Sequence, residues 1–102
     1  MVYYLVTAKP KKAKLEQLKA MLEAGKILKL RPFGKALDDS LRRARYTEAG
    51  LAVWEENDYC SPPLAMERAA VLDDYFSAIE VEEVRKGEGW TRLEGLPSLW
   101  TM

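Results

Sequence analysis

Between Leu51 and Phe76 the chain reads LAVWEENDYCSPPLAMERAAVLDDYF, an apolar run, a polar hinge closed by two prolines, and an amphipathic run. No other stretch limits the fold as much. Leu51, Ala52, Val53 and Trp54 are apolar and β-favouring, with Gly50 in front and Glu55, Glu56, Asn57 and Asp58 behind, which predicts a buried strand ending in polar chemistry. From Ala65 the apolar residues return at Ala65, Ala69, Leu72 and Phe76, with Leu64, Val71 and Tyr75 widening the stripe, and this spacing predicts a helix with one core face. Ser61 suits the helix N-cap, and prolines suit a first turn whose amides have no helical partner.

The remaining elements arrange themselves around that unit. Val2 to Ala8 is rich in β-branched and aromatic residues on both faces, as in a central strand. Leu15, Leu18 and Leu22 share a face of a helix expected over residues 11 to 24, with Gly25 at its C-terminal cap. Residues 26 to 31 read as connection; after Pro32 a shorter helix is expected over 34 to 43, then a short strand at 44 to 47 hairpinned to residues 51 to 54. Ile79, Val81 and Val84 among glutamates predict a last strand, and the apolar tail from Trp90, broken by Gly95 and Pro97, predicts no regular element. One domain is expected, with a core at 1–86 and a C-terminal tail at 87–102.

Composition narrows the function classes. Sixteen basic residues balance sixteen acidic ones, so no net field favours nucleic acid; the patch Arg42, Arg43 and Arg45, near Arg31 and Lys35, has no aromatic platform beside it. No run approaches a membrane span and no leader is visible, so a cytoplasmic protein without nucleic-acid or membrane partners is expected. One cysteine, Cys60, and no histidine exclude an internal disulfide and argue against a zinc site, and no glycine-rich phosphate loop appears, so neither metal nor cofactor is expected. Charged residues make up 31% of the chain while Asn57 and Gln17 are its only amide side chains, a balance that fits either a thermophilic source or a well-solvated surface.

The expected order of strand, helix with an added helix, strand, strand, helix and strand is that of the ferredoxin-like βαββαβ fold. At the level of element order, across about the first 85 residues, the chain resembles the dimeric α/β-barrel superfamily. That resemblance implies two sheets packed face to face in a homodimer, with small ligands in a cleft between sheet and helices. An apolar strand at 2–8 needs such cover, and the tail, carrying Trp90, Leu93, Leu96, Leu99 and Trp100, suits a strap across the neighbouring subunit.

Candidate site residues cluster at the hinge. Glu55, Glu56 and Asp58 lie where ligands often sit, although strand alternation sends Glu55 and Glu56 to opposite faces and acidic residues are mostly solvated. Cys60 is either a thiol activated by the following helix or a small packed side chain, the second being favoured without a histidine base. Arg68 either reaches a carboxylate or phosphate in a cleft or pairs with Asp74 or Glu56. These features support a homodimer binding a small molecule beside Trp54, Glu56, Tyr59 and Arg68, with acid/base turnover by Glu56, steered by Tyr59 or Arg68, if the chain is an enzyme. The alternative is a non-catalytic interaction subunit that docks through its apolar sheet face and tail.

Overall fold

Val2–Pro10 forms strand β1, which runs between β3 (Ala52–Asp58) and β4 (Phe76–Val84) and is antiparallel to both. The short β2 (Arg45–Tyr46) pairs antiparallel with Val53 and Ala52, giving the order β2-β3-β1-β4. The computed structural model describes residues 1–102 as an α+β fold of four antiparallel strands and four helices. None of its helices is long and apolar enough to cross a membrane.

Side-chain alternation divides the sheet into two unlike faces. Val6, Ala8, Ala52, Trp54 and Phe76 enter the main core, where the Trp54 and Phe76 rings lie 5.2 Å apart at a tilted angle. Leu5 and Val53 point the other way. Helix α1 (Leu15–Glu23) follows a 3-10 turn at Lys12–Lys14 and contributes Leu18 and Leu22 to the main core. Its end is a paired-bond cap: Gly25, at φ 72°, donates to the Leu22 carbonyl and Lys26 donates to that of Met21.

Helix α2 (Gly34–Arg42) covers the part of the β3 edge that β2 is too short to reach, and the Ser40 hydroxyl donates to the Glu55 carbonyl at 2.8 Å. Gly34 is required there, because a Cβ would meet the Ile27 and Leu28 carbonyl oxygens at 2.5 and 2.8 Å. The connection at 26 to 31 thereby gains a packing role, with Ile27 fully buried.

Helix α3 spans residues 65–75 and departs from the expected register. An α turn, Ala65–Glu67, passes into a π turn, Arg68–Leu72, and ends in a second α turn, Asp73–Tyr75. Its buried face is Leu64, Glu67, Val71, Leu72 and Tyr75; Ala69 is exposed, and Phe76 belongs to β4. Leu64, Glu67, Val71 and Tyr75 follow one another at three, four and four residues, so it is a stripe traced through apolar residues alone that misplaces Ala69 and overlooks Glu67. Ser61 does not cap the helix: Leu64, at φ 61°, precedes it and donates its amide to Asp58 Oδ2 at 2.6 Å. Burying Leu64 reverses the chain just before the helix, which leaves Ser61 too far upstream.

Strand β4 starts earlier than expected, pairing Phe76 with Pro10, and a bulge opposite Ala8 places Ala78 at φ 50°. Glu80, Glu82 and Glu83 are exposed along this outer strand, where charge discourages strand addition by another chain.

The tail folds onto its own chain. Helix α4 (Glu88–Arg92) begins it, and Leu93, Trp90 and Leu96 pack over Leu5 and Val53 on the second sheet face. Beyond Pro97 the backbone runs beside β2, where Tyr46 donates to the Pro97 carbonyl and Leu99 donates to that of Ala44. Leu99 enters the main core and the Trp100 indole donates to the Leu41 carbonyl at 2.8 Å. The strap expected across a neighbour is thus an internal clasp, because Leu5 and Val53 lie within reach of a tail that leaves the adjacent edge strand.

Candidate functional site

The acidic end of β3 is buried, against the expectation of a solvated strand end: Glu55, Glu56 and Asp58 each lose nearly all their accessible surface. Alternation separates them as expected. Glu55 faces the tail, where its carboxylate accepts from the amides of Gly87 at 2.9 Å, Gly89 at 2.7 Å and, more weakly, Trp90 at 3.4 Å. That carboxylate caps the start of α4 and joins the tail to the sheet. The 260 Å3 depression beside it, bordered by Tyr3, Ser40, Arg43 and Trp90, therefore offers a ligand no free acid from Glu55.

Glu56 and Asp58 face the helices. The Trp54 indole donates to Glu56 Oε1 at 3.0 Å, and Glu56 Oε2 is buried without a partner. Glu67, delivered by the first turn of α3, has no exposed surface, and its Oε2 is likewise unpartnered. Cys60 Sγ lies 3.9 Å from Glu67 Oε1, and donor atoms of Asp58, Cys60 and Glu67 all lie within 4.8 Å of one another.

Burial, then contact with Glu67, holds the Glu56 carboxyl well above the ordinary range, although the Trp54 N–H opposes this. Burial likewise raises Glu67. Hydrogen bonding to the Met66 backbone favours the Cys60 thiolate, but burial and the neighbouring carboxyls of Asp58 and Glu67 outweigh it and push the thiol up. No basic side chain offsets this collection. The ion pairs of the chain, Arg42 with Asp38, Arg43 with Asp39, Arg68 with Asp73 and Arg92 with Glu82, all lie elsewhere.

Asp58, Cys60 and Glu67 border a cleft of about 660 Å3 whose walls include Met1, Pro32, Phe33 and Ala36 with Tyr59 and Met66. Lys35 also lines it but forms no ion pair. Of the four residues expected to border a site, Trp54 and Glu56 touch each other inside the core, whereas Tyr59 stands at the cleft mouth, 76% exposed. Arg68 points outward to Asp73 at 3.3 Å instead of pairing with Asp74 or Glu56. Glu67 takes the inward position, and its sequence signal was its spacing, three residues after Leu64 and four before Val71. An acid on the core-facing side of a helix is the unusual residue in that stretch. No known protein family, characterised protein or solved structure matches this chain, so the geometry of the cleft is the ground for a functional reading.

Proposed function

We propose that the chain binds a small molecule with an apolar body in the cleft between α2 and α3. The observation that carries this reading is the pairing of apolar walls, Phe33, Met66 and Tyr59 among them, with a polar floor of Asp58, Cys60 and Glu67. Met1, Tyr59 and Met66 are three of the large apolar residues left exposed, and all three border this cleft. The strand order, which from the opposite edge reads β4-β1-β3-β2, together with fully antiparallel pairing, supports a ferredoxin-like version of the fold. In such a fold a ligand between sheet and helices is a natural arrangement, and turnover by floor residues is the enzymatic form of the proposal.

The homodimer expected from a bare sheet face loses its main support, since Leu93 of the same chain fills that place. The interaction-subunit reading survives in one form, with the apolar rim of Met1, Tyr59 and Met66 receiving a side chain of a partner protein. A thermal-shift screen of metabolites against the wild type and Ala36→Trp decides. A ligand class that stabilises the wild type and not the variant, whose indole would fill the cleft, supports small-molecule binding. A flat screen, together with a protein that co-purifies with the wild type and not with Met66→Asp, refutes it in favour of the interaction subunit.

A further inference from the structure

Three groups able to carry negative charge, Asp58, Cys60 and Glu67, meet at the base of the cleft with a fourth, Glu56, buried against Glu67, and no Lys or Arg forms an ion pair with any of them. Buried carboxyls in such a setting need protons or a cation. Glu56 Oε2 and Glu67 Oε2 have no donor of fixed position, so either a proton shared between the two carboxyls or a cation must meet the need. We propose that Asp58, Cys60 and Glu67 bind a thiophilic divalent cation of the zinc type, with a further coordination position open to the cleft.

The geometry suits one ion. Two ligands of a single zinc can be no farther apart than the sum of their bond lengths, about 2.3 Å to sulfur plus about 2.1 Å to oxygen, or about 4.4 Å. Cys60 Sγ and Glu67 Oε1 stand 3.9 Å apart, inside that limit, and with all three donors within 4.8 Å of one another a small inward movement of the side chains gathers the set around one ion. The three donors are a thiol and two carboxyls, and the sulfur selects against magnesium and calcium, which take oxygen ligands. Histidine is therefore dispensable in this mixed set of one sulfur and two carboxyl ligands. Outer contacts are also in place: the Leu64 amide orients Asp58, and Glu56, itself held by Trp54, lies against Glu67. The π turn that begins at Arg68, directly after Glu67, is the kind of helix irregularity that gathers at functional sites.

Three protein ligands with an open position form a reactive arrangement more than a structural one. Resting on the cleft reading, the ligand class becomes a small molecule with an apolar body and an oxygen-bearing end, such as a carboxylate or hydroxyl, that completes the coordination of the ion. Binding would displace the proton of the thiol, because the thiolate is the ligand.

The test uses the full chain without a histidine tag, stripped with EDTA and titrated with Co2+. The expected result is a saturable near-ultraviolet absorption from thiolate-to-cobalt charge transfer, removed by Zn2+, which displaces the cobalt. Cys60→Ser abolishes the band, and Glu67→Gln and Asp58→Asn each weaken affinity, measured by calorimetry, at least about ten-fold, the loss that even an outer-shell partner can cause. Glu80→Gln on the exposed outer strand serves as the control and leaves affinity unchanged. Absence of a band at millimolar Co2+, or a wild-type affinity in the folded Glu67→Gln and Asp58→Asn proteins, overturns the proposal. The cleft reading fails separately: a cobalt band with a flat metabolite screen removes the small molecule and keeps the cation, whereas metabolite stabilisation without cobalt binding removes the cation alone.

Discussion

Glu55→Ala should release the tail from the sheet, and the cost follows from the bonds lost. The carboxylate accepts two short amide bonds, at 2.9 and 2.7 Å, and a longer one at 3.4 Å. Hydrogen bonds to a charged group contribute about 1.5–3 kcal/mol each, so the two short bonds alone imply a loss of about 3–6 kcal/mol. Detachment of the tail limits that loss, because the freed amides then reach water, but it uncovers Leu5, Val53 and Leu93. A domain of this size is stable by about 5–15 kcal/mol, so the variant should remain folded with a much lower urea midpoint. Hydrogen exchange should accelerate at the amides of Gly89 and Trp90 before it does in β1. Gly89→Ala probes the same contact from the other side: its Cβ would sit 2.8 Å from Glu55 Oε1 and 3.0 Å from Glu55 Cβ, at a cost of about 1–3 kcal/mol. Because both changes break one contact, the double variant should cost less than the sum of the single ones. A Glu55→Ala protein with a wild-type midpoint and unchanged exchange at Gly89 would refute the clasp.

Leu72→Ala should destabilise by about 2–5 kcal/mol, as expected at a fully buried position, while Ala69→Gln should stay within about 0.5 kcal/mol; equal urea midpoints for the two would mean the helix face is misassigned. In EDTA, the folded protein binds the Glu56 proton more tightly than the unfolded chain does, because its carboxyl is held well above 4.5. The corresponding stability is present in full below the ordinary carboxyl range and is lost as pH rises toward the folded value, so the wild-type melting temperature should fall across that interval relative to Glu56→Gln; parallel pH profiles for the two proteins would sink this. In the same metal-free state, with its thiol pushed up, Cys60 should react with a maleimide more slowly at neutral pH than a free cysteine does, and faster labelling would show that the Met66 contact prevails.

What the sequence determined by itself was local. β-Branched and aromatic residues from Val2, leucines at helical spacing before Gly25, and the break at Pro32 are each set by the chemistry of near neighbours, and β1, α1 and α2 follow them. The opposite orientation of Glu55 and Glu56 was legible for the same reason, since strand geometry leaves no other choice. The π turn in α3 was not legible, because a helix accepts an extra residue only when packing on both sides rewards it, and the inward place of Glu67 was masked by its charge, since a stripe traced through apolar residues passes over an acid at that spacing. Nor did sequence determine the destination of the tail. Leu93 and Leu96 carry no period that names a partner, and only the closed fold brings Leu5, Val53 and the amide-binding carboxylate of Glu55 within their reach. The candidate site is tertiary for the same reason: Asp58, Cys60 and Glu67 acquire a shared chemistry only where the end of β3, the αL turn at Leu64 and the first turn of α3 converge, and burial there raises the affinity of Glu67 for a proton, which a bound cation would replace.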